Sequence, residues 1–538
     1  MVLPASSSAQ QPAGAEAAKP AGTPAPAEGA EPAEGEEAAP APAEGAAPAG
    51  QAEATEEGGA VELSGANEAI YLEDWPQAAR LAYLAMRKTK PSAEKYESAQ
   101  FALAQALEQL ELRQASAEYY FAVAEQRQNP ALLARSLQGL ERLSRDGVLD
   151  EEKLLRGVLV EAELSNIPAK VGDFLHFYRG IANLRAGYRR WAKKDFAAVR
   201  PDTYYGRRVQ LTEAVTLVRE GKNDEALKLV DAFITARAKD LADEEAAAAP
   251  ATPAPQTSSE QAGVRVVPVG SEADARLIRA RLLYEMGRYD DAIEEYKRLR
   301  RTKATPAGEL LLERAWAHFR DGAYHDSMGL LYSLGAPSNR DLFLPDQYVL
   351  RGLIYQRFCH FRAAKAAVDD FRARYSAMVA ELKSGKPARE VEVISAAALD
   401  RIEVRPFALI SHEVSQEKEL ADDLSSTLEE GGLSVHLVAL YQLLEDRATW
   451  MLDRAMEAGA RTVAEKLLEA DEQANLLDYE VGVSIFRPIR DPSGKLRLRQ
   501  EVEVVPRGGN RVYYPFDGEF WSDELPNMRF LIQDRCVE

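Results

Sequence analysis

Few residues in this 538-residue sequence have the types and spacing that chemistry needs. Of six histidines, only His360 lies beside a second soft ligand, Cys359. Neighbours on a helix point about 100° apart, unlike the i, i+4 pair that chelates a metal. The alternative for Cys359-His360 is a reactive thiol beside an imidazole, which needs exposure and a depressed thiol pKa. Cys359 and Cys536 fit neither a metal cluster nor a disulfide framework; the spacing leaves open whether they meet, and the expectation is two unpaired structural cysteines. Near the C-terminus, FDGEFWSDELPNMRF sets Asp517, Glu519, Asp523 and Glu524 among Phe516, Phe520 and Trp521. Convergent carboxylates would suit a metal or a sugar, but the uneven spacing favours a docking segment that packs its aromatics on the last helices and keeps its acids in water. Phosphate loops, dinucleotide fingerprints, zinc-protease helices, nucleophile elbows and calcium loops are all missing. The expectation is a non-enzymatic protein with no catalytic residues, no metal and no cofactor; a hydrolase or sugar-active enzyme with a C-terminal site is the alternative from another class.

The strongest candidate for recognition is RAGYRRWAKKDF, with Arg185, Arg189, Arg190, Lys193 and Lys194, followed by Arg200, Arg207 and Arg208. Such a cluster makes a local positive potential suited to an acidic peptide, a terminal carboxylate or anionic headgroups. With Asn183 it forms the expected partner-binding set: Asn183, Arg185, Arg189, Arg190, Lys193 and Lys194. The competing reading is a solvated helix face, neutralised by the chain's own acidic arm.

That arm dominates the charge balance. The formal charge is −20, and the first 60 residues contribute ten Glu against Lys19 alone. The remainder is mildly acidic, so no global field draws phosphate and nucleic acid is not an expected ligand. No run of about 18 uncharged apolar residues exists to span a bilayer. MVLPASSSAQQP reads as the back half of a secretory signal, which implies a periplasmic location; a cytoplasmic adaptor starting at Met1 is the alternative.

The elements that must position these residues are short paired helices. From Ala60 onward Ala, Leu, Tyr and Arg recur at helical spacing, broken by Gly or Pro every dozen or so residues. Four landmarks repeat in order: a small residue, a turn Gly, an Ala and a bulky side chain. They read Gly180, Gly187, Ala192, Phe196; Ala214, Gly221, Ala226, Val230; Ala280, Gly287, Ala292, Tyr296; Ala315, Gly322, Ser327, Leu331; and Gly352, Cys359, Ala364, Val368. The period is about 34 residues. Small residues let two helices approach, and Gly287 supplies the tight turn. This pattern resembles the tetratricopeptide repeat, most closely in LLYEMGRYDDAIEEYKRL from Leu282 to Leu299. The resemblance covers roughly residues 66–375, with degenerate units around Trp75–Ala85 and Leu107–Val123 and a poor match from Ala131 to Pro168. It implies an all-α helix-turn-helix solenoid that binds proteins or peptides along its inner helices. In style the chain is similar to tetratricopeptide proteins of bacterial envelope machines, including gliding-motility and secretion assemblies.

The expected organisation is a disordered Ala/Pro/Glu arm over 1–60, a repeat block over 61–238, a low-complexity insertion over 239–270, a second repeat block over 271–380, a helical capping region over 381–478 and a docking tail over 479–538. The capping helices are predicted to break at Gly431-Gly432 and again near Gly459. In the tail, alternation at Val481, Val483 and Ile485, a turn at Asp491–Gly494 and a second alternating run predict a β-hairpin, with RVYYPF as a third strand. Whether the two repeat blocks form one solenoid, and the oligomeric state, are not determined at this level.

Overall fold

The computed structural model describes residues 55, 58–126, 129–145, 149, 153, 168–247, 272–299, 307–339, 341–486, 489–490, 496–497 and 525–536. Its helices come in pairs: α1 (Ala60–Tyr71) with α2 (Trp75–Lys88), α3 (Glu94–Gln109) with α4 (Arg113–Gln126), α6 (Ala169–Arg185) with α7 (Arg189–Ala198) and α8 (Tyr204–Arg219) with α9 (Asn223–Ala247). Three more pairs are α10 (Glu272–Glu285) with α11 (Tyr289–Arg298), α12 (Ala307–Asp321) with α13 (Tyr324–Ser333) and α14 (Asp346–Arg357) with α15 (Phe361–Lys383), while α5 (Pro130–Arg145) stands between the second and third pairs.

Each of these pairs turns on one residue in the left-handed region: Glu73, Glu111, Gly187, Gly221, Gly287, Gly322 and Cys359. Only glycine takes that conformation without a steric penalty, which is roughly 1–2 kcal/mol for other residues. The two N-terminal pairs therefore look degenerate in sequence yet share the geometry. Their small landmarks, Ala66 and Ala104, are fully buried, like Ala214, Ala280 and Ala315. Where the second helix carries Ser in place of Ala, the hydroxyl donates across the pair: Ser116 Oγ to Ala104 O at 2.8 Å and Ser327 Oγ to Ala315 O at 2.7 Å. Tyr296 seals one pair against the next, its ring buried and its hydroxyl donating to Glu313 at 2.9 Å.

Past α15 the chain forms α16 (Glu392–Leu399), α17 (Arg405–Asp423), the single turn α18 (Ser425–Leu428) and α19 (Leu433–Phe486). The break at Gly431-Gly432 occurs as expected, with both residues at φ 80°. The break near Gly459 does not: α19 is continuous over 54 residues, about 80 Å at 1.5 Å per residue. Gly459 serves close packing, since a Cβ there would lie 2.6 Å from Val404 Cγ2. The expected first strand is also corrected, because Val481 to Phe486 form the last turns of α19. Beyond it, Ile489 pairs with Arg497 and Arg490 with Leu496, antiparallel, on either side of the expected turn. The rest of that hairpin, RVYYPF, and the acids and aromatics from Phe516 to Glu524 lie outside the described residues.

The long helix does more than cap the last repeat. Its C-terminal half stacks on α14 and α15: Leu477 fills the space beside Gly352, and Asp478 takes Lys365 and Arg372, both at 2.8 Å. Its N-terminal half, with α17, reaches back to the first two pairs. There Leu437, Tyr441 and Leu444 share a core with Tyr83, Leu107 and Tyr120. Glu417 of α17 accepts the Gln114 N–H at the start of α4 (2.8 Å) and the Tyr441 hydroxyl (2.9 Å). Burial pushes the Glu417 carboxyl up to about 7. His436 stacks on Tyr83, and its Nε2 shares a hydrogen with Tyr119 at 2.5 Å. The solenoid is thus tied from its last pair to its first by its own C-terminal helix.

The cysteines are joined. Cys359 and Cys536 form a disulfide with a Cα–Cα distance of 5.1 Å, correcting the expectation of unpaired thiols. The bond became legible only when the fold laid residues 525–536 along α13 and across the α14–α15 turn.

Candidate protein-binding surface

The expected partner-binding set lies on α6, α7 and the turn between them. Gly187, at φ 82°, makes that turn, and Gly180 leaves room for the buried Phe196 ring, which a Cβ would meet at 2.2 Å. Within this frame the structure divides the set. Asn183 is structural: its amide donates to Asp195 at 2.9 Å, and the same buried carboxylate meets His176 at 3.1 Å. Arg189 is paired with Glu220 at 2.8 Å, beside Lys222 at the same distance. Of the following basic residues, Arg200 is clamped on the buried Asp173 through Nε (2.9 Å) and Nη2 (2.7 Å). The Arg208 guanidinium lies over the Phe177 ring at 4.5 Å.

Arg185, Arg190, Lys193 and Lys194 are exposed. They share the surface with two aromatics that the sequence reading did not single out, Tyr188 at 62% and Trp191 at 58% exposure. The Lys194 ammonium sits 5.4 Å from the centre of the Trp191 ring, a cation–π contact that leaves much of the indole uncovered. The signal was present as the interleaving YRRWAKK, but periodicity alone does not separate Phe196, which is buried, from Trp191, which is not. The ridge lies on a second helix, with Asn183 and Arg185 on a first helix.

Elsewhere, a cleft where α17 and α19 begin to part is lined by Arg401, Phe407, Trp450 and Arg454. Among the described residues there is no group of three or more His, Cys, Asp or Glu placed to hold a metal. Nor is any described helix long and apolar enough to cross a membrane.

The fold is tetratricopeptide-like. No protein-family model matches the chain, and no curated protein matches it. Among solved structures, a tetratricopeptide repeat protein from Parabacteroides merdae is 15% identical, covering 51% of this chain and 90% of that one, with a TM-score of 0.29. The Cut9–Hcn1 hetero-tetramer of the APC/C is 12% identical over 79% of this chain and 83% of that chain, with a TM-score of 0.23. Likenesses of this size add nothing to the fold, which stands on the left-handed turns and buried small landmarks described above.

Proposed function

We propose that the protein is a non-enzymatic scaffold that binds acidic segments of protein partners through the α7 ridge, within a bacterial envelope assembly of the motility or secretion kind. The observation that carries this reading is the pair of half-exposed aromatics among exposed cations. Trp, Tyr and Arg dominate binding hot spots, because they bury large areas at low entropic cost while keeping a polar handle. Periplasmic location is part of the proposal, supported by the Cys359–Cys536 disulfide, since such bonds persist in oxidising compartments.

The test uses the full chain with Arg190, Lys193 and Lys194 changed to Glu, leaving Arg189 on Glu220. Partners are captured from the envelope fraction at low and high salt. We expect recovery by the wild type to fall as salt rises, because exposed charge pairs are screened beyond about 8 Å at physiological ionic strength. Recovery by the variant should drop at least tenfold. Equal recovery by two equally folded proteins would reduce the ridge to a solvated face.

A further inference from the structure

The C-terminal segment docks on α13 and the α14–α15 turn as one 3-10 turn, Leu525–Asn527, followed by an extended stretch to Cys536. Alternate residues face in and out: Met528, Phe530 and Ile532 turn toward the helices, whereas Asn527, Arg529, Leu531 and Gln533 face solvent. That period of two belongs to an extended chain reading a surface by alternate pockets. Its backbone is held at both ends. Ser333 Oγ donates to Leu525 O at 2.6 Å, and Arg314 Nη1 to Pro526 O at 2.7 Å. Phe530 N donates to His325 O at 3.0 Å, Ile532 N to His325 Nδ1 at 3.1 Å, and Arg535 N to Phe358 O at 3.1 Å. The Phe530 ring stacks on Tyr332 with centroids 4.3 Å apart.

Gly329 of α13 makes the seat possible. A Cβ at that position would lie 1.9 Å from Met528 O, so the segment's main chain rests directly on the helix. Within a helix glycine is inferior to alanine by about 1 kcal/mol, so the helix itself gains nothing from it. The groove is shaped for a peptide.

We propose that the α12–α15 surface is a recognition site for a segment of the Leu525–Arg535 type, filled in cis here, and that it accepts the same segment from a second copy of the chain when the Cys359–Cys536 bond is open. The occupant follows from complementarity: every anchor named above is matched to this segment, and a second copy supplies it identically. The segment connects back to α19 through residues 487–524. The disulfide, whose two cysteines are both part-exposed, decides between cis and trans. Opening it takes two electrons and two protons from a dithiol, which becomes the oxidised partner, and leaves two thiols. The cis segment is then held only by the non-covalent contacts named above, which the segment of a second copy can make as well. This inference is independent of the α7 ridge.

The experiment pairs two full-length single-cysteine variants, Cys359→Ser and Cys536→Ser, in a glutathione redox buffer. Exchange places Cys536 of the first beside Cys359 of the second. Oxidised glutathione then takes up the two electrons and two protons as the intermolecular bond forms, and covalent capture accumulates even a minor exchanged population. We expect a disulfide-linked heterodimer, identified by mass spectrometry of the Cys359–Cys536 peptide, at least tenfold above the homodimers formed by each variant alone. Adding Gly329→Ala to the Cys536→Ser chain, which puts a methyl against the Met528 carbonyl, should remove that excess while leaving the helical signal intact. A heterodimer no more abundant than the homodimers overturns the proposal. So does one that Gly329→Ala leaves unchanged, since the link would then report thiol collision without recognition.

Discussion

The second helices of the solenoid meet two different fates. At the ends, α2, α4, α13 and α15 lie under the chain's own C-terminal elements: α17 and α19 cover the first pairs, the Leu525–Cys536 segment covers α13, and α19 returns over α15. In the middle, α9 and α11 pack on their own pair and the next, and α7 chiefly on its own pair. The means of cohesion differ accordingly. The ends are sealed by buried aromatics and a capped helix start around Tyr441, Glu417 and His436. The middle adds an ion network to its apolar clusters: the buried Glu295 takes Arg276 at 2.6 Å and Arg279 at 2.5 Å within one pair, and Arg279 also reaches Asp231 of α9 in the preceding pair at 2.6 Å.

The sharpest way to break this contrast is Tyr441→Ala, which removes a fully buried ring from the closing junction and leaves Glu417 without its hydroxyl partner. A loss of about 3–5 kcal/mol is expected from large-to-small aromatic replacement in a core. Chemical denaturation should show it, with hydrogen exchange rising in α2, α4 and α17 while α10 and α11 stay protected. Uniform exchange over all helices would mean that the ends and the middle fold as one unit.

In the middle, Glu295→Ala strands two guanidinium groups at the interface. Removing one partner of a buried ion pair costs about 3–5 kcal/mol, and the partial exposure of Arg276 and Arg279 places the expectation at the lower end. A denaturation midpoint matching wild type would show that Glu272 and Asp231 suffice for these arginines. Ala292→Leu addresses the close helix approach itself. The site is fully buried, and overpacking should lower stability by about 1–3 kcal/mol in thermal melts.

Glu417 supplies a pH signature confined to the closed end. Its folded pKa, about 7, lies above the ordinary value of 4.5, so the folded state binds the proton more tightly. Its contribution to stability is therefore fully present below about pH 4.5 and is lost as pH rises through 7, with a slope of at most about 1.4 kcal/mol per pH unit. Glu417→Gln should flatten the stability curve between those limits. An unchanged slope would assign the pH dependence to other groups.

The smallest effect is expected at the N-terminus, where part of the arm belongs to the fold. Thr55 N donates to Lys88 O and Lys90 N to Thr55 O, both at 3.2 Å, and the Thr89 hydroxyl donates to Gly58 O at 2.5 Å. Removing residues 1–53 should leave the melting temperature unchanged, whereas removing 1–60 should lower it by a few degrees. Identical melts would return the boundary to Ala60.

The sequence by itself determined the repeat. Ala280, Gly287, Ala292 and Tyr296 each act within a single helix pair, where contacts are local and spacing follows from helix geometry, so five units were visible without a structure. Two further units read only as degenerate, because Glu73 and Glu111 occupy left-handed turns that a glycine would have marked. Of the candidate site, the charges of α7 were legible, but the roles of Asn183 and Arg189 depend on Asp195 and Glu220 beside them, and the exposure of Trp191 depends on which neighbour packs where. Tertiary structure alone decided the rest. Whether Cys359 meets Cys536, whether Gly329 seats a peptide, and whether Glu417 caps α4 are matters of contact between residues far apart in the chain. Periodicity reports what one helix presents, and only packing fixes what it is presented to.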